Sequence, residues 1–152
     1  MKQRISQIQL HIDKRSTYSK EKSNKLGEVF TPNVLIKEML GKLPREIWEN
    51  KTKTFFDPCA GKGNFPIFIV TNLFTGLQEH IIDEKERLRH IIEKQLFMAE
   101  YQRESCEFIA KAFTFGLEFK VNLYYGNTLK MPDDFFDLSW EERRVKYPDN
   151  CI

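Results

Sequence analysis

Asp57 stands four residues ahead of Gly61 and six ahead of Gly63 in the segment TFFDPCAGKGNF, Thr54 to Phe65. Glycines without a Cβ reach positive φ cheaply and let backbone N–H groups come close to a ligand. The apolar run ahead of Asp57 reads as a buried strand. A helix opening at Asn64 or Phe65 turns its unpaired N–H groups and positive dipole end toward the same space. A carboxylate at a strand end, a glycine turn and a helix N-terminus together make a nucleotide-type crevice. No Lys-Ser or Lys-Thr closes this loop, so it is not a phosphate loop, and Pro66 stands where GxGxxG needs its third glycine. An acid four residues before the first glycine suits a ligand carrying a cationic or hydroxyl group and no pyrophosphate.

Three further residues could converge on that crevice. Glu100 ends the apolar run QLFMAE (Gln95 to Glu100) and stands where an acid can accept both ribose hydroxyls; alternatively it is a solvent-facing strand end. Tyr101 could stack on a base or cover the core. Asn127, after Gly126, offers a donor and an acceptor suited to a purine edge, or serves only as a turn residue. Thr31, in GEVFTPNVLIKEML, reads as a helix N-cap with Pro32 at the first helical position.

These residues need elements to hold them. Val34, Leu35, Ile36, Met39, Leu40 and Leu43 form a stripe at helical spacing that stops at Pro44. Strand one ends at Asp57, and a helix over Phe65 to Leu77 is apolar on almost every face, as for a helix lying on a sheet. His80 to Lys94 reads as an amphipathic helix with Ile81, Ile82, Leu88, Ile91 and Ile92 inward. Strand two is Gln95 to Glu100, a helix covers Arg103 to Phe115 with Gly116 as its stop, and strand three is Glu118 to Tyr125. Strand, helix, strand, helix, strand predicts an α/β fold of βαβ units, a parallel sheet with flanking helices and a ligand site at the strands' carboxyl ends. The tail from Met131, with Phe135, Phe136, Trp140 and the cluster Arg143, Arg144 and Lys146, takes no assignment.

Length and charge set outer bounds. At 152 residues, 41% hydrophobic and 30% charged, the chain has one domain's worth of material. Residues 1–26 hold seven Lys or Arg against two acids, a net +5, which leaves about −3 for the rest of a chain whose total is +2. They read as a short helix or extended arm followed by a mobile basic linker, either a polyanion-binding arm or a solvated leader. The cysteines Cys59, Cys106 and Cys151 have neither disulfide nor zinc spacing, and no metal site is expected. No apolar run approaches the roughly 18 residues of a membrane span, so a reduced, cytoplasmic protein is expected.

The order GEVFTP (Gly27 to Pro32), DPCAGKGNF (Asp57 to Phe65), an acid after a strand (Glu100) and YYGNTL (Tyr124 to Leu129) resembles the first half of the S-adenosylmethionine-dependent amino-methyltransferases. The adenine-N6 DNA methyltransferases of restriction-modification systems are the nearest in pattern. The resemblance spans Gly27 to Leu129 and implies a Rossmann-like methyltransferase fold, incomplete, with its first three parallel strands. It implies that Phe30, Thr31 and Pro32 contact the methionine end of S-adenosylmethionine. Asp57, Pro58, Ala60, Gly61, Gly63, Asn64 and Phe65 match the loop beneath its amino and carboxylate groups, Glu100 the ribose acid, and Tyr101 the neighbour of the adenine. Asn127 matches the position that hydrogen-bonds the adenine amine.

Two departures accompany the resemblance. Gly63 and Glu100 are 37 residues apart, where the compact pattern is nearer about 20. The catalytic tetrapeptide, Asp or Asn, then Pro-Pro, then Tyr or Phe, is absent: Pro32, Pro44, Pro58, Pro66, Pro132 and Pro148 are never adjacent. No catalytic residue is therefore assigned, and the chain reads as an amino-terminal fragment. The expected division is a basic arm and linker (1–26), half of a cofactor-binding domain (27–130) and a tail (131–152). Such a chain binds S-adenosylmethionine, with DNA as the partner of the complete enzyme. Strand one would then be an open apolar edge, covered by self-association or by the tail. An RNA or protein-glutamine methyltransferase shares the loop, and a non-catalytic nucleic-acid-binding or interaction module is the alternative from another class.

Overall fold

The computed structural model describes residues 1–18 and 31–152. The expected basic linker, Phe30 and most of the GEVFTP segment lie outside the described residues.

Three parallel strands, β1 (Phe55–Asp57), β2 (Leu96–Glu100) and β3 (Asn122–Tyr125), form one sheet in the order β1-β2-β3. Phe56 is opposite Phe97, and Ala99 opposite Tyr124. Side chains alternate between the faces of a strand. Leu96, Met98 and Leu123 enter the main core with the helices, while Ala99 and Tyr124 join a second cluster on the other face.

The helical layer is built on α4 (Asn64–Gly76), after α1 (Lys2–Tyr18), α2 (Asn33–Gly41) and the short α3 (Glu46–Glu49). It touches α1, α2, α3 and the sheet, which explains why Ile67, Phe68, Ile69, Val70, Leu73 and Phe74 are all buried and why no polar face was visible in the sequence. Pro66 is tolerated because it falls in the first turn, where no intrahelical N–H bond is lost. The first residues are a full helix docked on this layer: Ile5 and Ile12 are buried in the core, and Arg4 donates to the Phe115 carbonyl at 2.6 Å.

Several expected boundaries move. Helix α2 starts at Asn33 with Pro32 as its extended N-cap residue and no side-chain cap, so Thr31 is not the cap. Only Ile36 and Leu40 of its apolar stripe are buried. The helix expected from His80 begins at Glu84 (α5, Glu84–His90), because the Asp83 carboxylate accepts the Glu86 amide at 2.8 Å and fixes the start there. Ile82 is thereby left 85% exposed instead of inward. The chain continues through a wide turn, Ile91–Gln95, into β2. Helix α6 (Arg103–Phe113) ends on two left-handed residues, Phe115 and Gly116, and β3 starts four residues later than expected.

The tail is an ordered second layer. A capping box between Ser139 and Glu142 starts α7 (Trp140–Lys146). Phe135 is fully buried against Tyr124, and Phe136 meets Phe56 and Phe97 edge-on at 5.8 and 5.1 Å. Arg143, also buried, donates to the Leu138 and Phe136 carbonyls and to Asn122 Oδ1, and lies over both phenylalanine rings. The tail therefore covers the face of the sheet. Among the described residues no strand pairs with the outer edge of β1, and Phe56 remains 46% exposed.

Candidate ligand cleft at the strand ends

An open cleft of about 980 Å³ lies beyond the carboxyl ends of the strands, the position expected of a ligand site in a parallel sheet. Its floor comes from the loop after β1. Gly61 and Gly63 have φ of +56° and +86°, which L side chains adopt only with strain. The Ala60 amide donates to the Ala99 carbonyl at 2.9 Å, and the Gly63 amide to the Ala60 carbonyl at 2.8 Å.

Asp57, Pro58, Ala60, Gly61, Asn64, Phe65, Glu100, Tyr101, Asn127 and Thr31 all line the cleft. Sequence reasoning named each of them. Pro32 and Gly63 do not line it. A Cβ on Gly63 would sit 2.6 Å from the Phe113 ring and 3.7 Å from Ile12, so this glycine admits close packing beneath the loop instead of facing a ligand.

The carboxylates differ in setting. Glu100 is 7% exposed and braced at both oxygens, accepting the Gly61 amide at 2.8 Å and the Gln102 amide at 2.7 Å. It is therefore not a solvent-facing strand end. Each oxygen keeps a second lone pair for a hydroxyl donor. Asp57 accepts the Cys59 amide at 3.1 Å. Burial pushes the Asp57 carboxyl above its ordinary value and Glu100 adds to the rise, while the Cys59 hydrogen bond opposes it. Cys106, beneath the floor, donates to the Glu100 carbonyl, and burial pushes its thiol up to about 12.

The rim bears on two alternatives left open by the sequence. Tyr101 is 72% exposed, so it lies along the cleft and does not cover the core. Asn127 is a turn residue: its Oδ1 accepts the Leu129 amide at 3.0 Å and caps the turn Thr128–Lys130. Thr31 contributes its carbonyl, which accepts from Asn64 Nδ2 at 3.2 Å. Asn64 Oδ1 is buried with no hydrogen-bond partner.

Cys59, Lys62, Gln102, Ser105, Thr128 and Leu129 also line the cleft and were not singled out from the sequence. The first two sit inside the glycine segment, and Thr128 and Leu129 inside YYGNTL, so the signal was their place in those segments. Among the described residues no group of His, Cys, Asp or Glu could hold a metal, and no helix is long and apolar enough to cross a membrane.

No family model matches the chain. Over 73 residues, 46% of this chain, it is 38% identical to a protein of Mycoplasma pneumoniae described as an uncharacterized adenine-specific methylase. The match covers 17% of that protein's length, so the chain corresponds to a small part of this relative. The similarity supports a relationship to methylases, alongside an α/β fold with a three-stranded parallel sheet.

Proposed function

We propose that the chain forms the S-adenosylmethionine-binding part of an adenine-N6 DNA methyltransferase. The observation that carries this reading is the convergence of Asp57, the Gly61 turn, Glu100, Tyr101 and Asn127 on one cleft at the ends of three consecutive parallel strands. The similarity to an adenine-specific methylase supports it.

The donor set suits this cofactor. Asp57 and the unpaired Asn64 Oδ1 offer acceptors to an ammonium group, and Glu100 keeps lone pairs for the two ribose hydroxyls. The exposed Tyr101 ring offers a face for the adenine. Asn127 approaches the adenine with Oδ1 already shared with the Leu129 amide, so a ligand amine there uses its second lone pair. The cofactor supplies a methyl group on a sulfonium, the electrophile for an amine nucleophile. This chain's residues bind and orient it. The catalytic tetrapeptide is not among them, so the chain alone holds the cofactor without transferring its methyl group. DNA enters as the partner of the complete enzyme, and exposed Lys2 and Lys14 on α1 support a polyanion on that side.

Titration calorimetry of the folded chain with S-adenosylmethionine tests the reading. Saturable heat, reduced by Asp57→Ala and by Tyr101→Ala, is expected. A folded chain giving no heat at millimolar cofactor would overturn it.

A further inference from the structure

Strands β1 and β3 are not neighbours; β2 lies between them. Yet the Thr128 hydroxyl, in the turn after β3, donates to the Pro58 carbonyl, in the loop after β1, at 2.6 Å and across 70 residues of chain. This contact bridges over the end of β2. Two other bonds join the same three loops in pairs. The Gly61 amide donates to the Glu100 carboxylate, and the Gly126 amide donates to the Glu100 carbonyl at 2.9 Å. Together they make a closed ring: first loop to second strand end, second strand end to third loop, third loop to first.

We propose that Thr128 is a positioning residue that latches the ring and holds the glycine loop in its ligand-ready form before a ligand arrives. The hydroxyl is aimed by its own turn, because Asn127 Oδ1 caps that turn through the Leu129 amide and the Lys130 amide donates to the Asn127 carbonyl at 2.8 Å. The latch is solvent-exposed, so it contributes little to global stability. Its effect is local. Without it the loop after β1 keeps the Ala60 and Gly61 bonds to the end of β2, and the segment from Pro58 to Cys59 samples more conformations. A ligand must then restrict that freedom on binding, which weakens affinity. The role of Asn127 in the turn follows from the same geometry: it sets the direction of the neighbouring hydroxyl.

The latch rests on the S-adenosylmethionine reading for its ligand, but not for its existence. Thr128→Val removes the hydroxyl at nearly constant shape and Thr128→Ser keeps it. Amide hydrogen exchange of the ligand-free chain is expected to quicken at Cys59 to Gly61 in the valine variant and to stay unchanged in the serine variant, with both melting as the wild type does. Calorimetry is expected to give roughly a three- to tenfold weaker S-adenosylmethionine affinity for valine, and for serine a value near that of the wild type. Equal exchange and equal affinity for valine and wild type would overturn the latch. If the wild type fails to bind the cofactor, the reading of the ligand falls, and the exchange comparison alone decides for or against the latch.

Discussion

The carboxylate of Glu100 accepts the backbone amide of Gly61 at 2.8 Å, joining positions 39 residues apart. Its other oxygen accepts the Gln102 amide, so one buried side chain sets the relation between two loops. Glu100→Ala leaves two amide donors without their acceptor and is expected to cost about 2–3 kcal/mol. That corresponds to a melting temperature lower by about 4–12 °C for a chain of this size. A thermal melt that moves by less than a degree would mean that water replaces the carboxylate.

The two glycines of the loop are required for different reasons. Gly61→Ala meets nothing within 4 Å and carries only the strain of φ +56°, about 1 kcal/mol. Gly63→Ala adds a methyl group 2.6 Å from the Phe113 ring to a residue at φ +86°, so it should cost clearly more. Urea denaturation checks the order. Phe113→Leu in the Gly63→Ala background should recover part of the difference, whereas it should recover nothing beside Gly61→Ala.

Asp57 gives the pH dependence a definite sign. Its carboxyl is raised above the ordinary 3.8, first by burial. Between that value and the raised one the folded chain binds more protons than the unfolded chain, so stability falls as pH rises through the window. Above the window the whole penalty is present. Asp57→Asn keeps an oxygen for the Cys59 amide and removes the buried charge. It is expected to be at least as stable as the wild type at pH 7, with a flatter profile across the window and weaker S-adenosylmethionine binding. Denaturant midpoints measured from pH 3 upward read the slope.

Two of the three thiols should separate cleanly. Cys59 is exposed on the cleft and Cys106 is buried with its thiol pushed up to about 12, leaving about one thiolate in ten thousand at pH 8. Iodoacetamide followed by peptide mapping is expected to modify Cys59 in the native chain and Cys106 only after unfolding. Saturating S-adenosylmethionine should slow the reaction at Cys59.

The parts of the fold that repeat a simple pattern could be read directly. An all-round apolar run became α4, the helix enclosed by its neighbours. The acids Asp57 and Glu100 marked strand ends because each stops an apolar run. Gly63 was harder: its φ was legible, but its neighbours Ile12 and Phe113 come from distant helices, and no local pattern announces them. Ile82 looked inward by periodicity until the cap at Asp83 started the helix beyond it. The tail failed for a different reason. Helix α7 has only seven residues, and its inward anchor, Arg143, is a cation. Burial of that side chain depends on carbonyls of Phe136 and Leu138 and on Asn122, which only the folded chain assembles.

Helix α1 reaches beneath the glycine loop, with Ile12 within van der Waals reach of the space above Gly63. It is thus a foundation for the cleft as well as a carrier of positive charge, and the two properties cannot be separated by deletion. Trimming the chain from its start would loosen the loop and discharge the surface in one stroke, and any loss of the proposed DNA binding would then have two causes. Reversing the charge of the exposed Lys2 and Lys14 while leaving Ile5 and Ile12 in place isolates the electrostatic contribution.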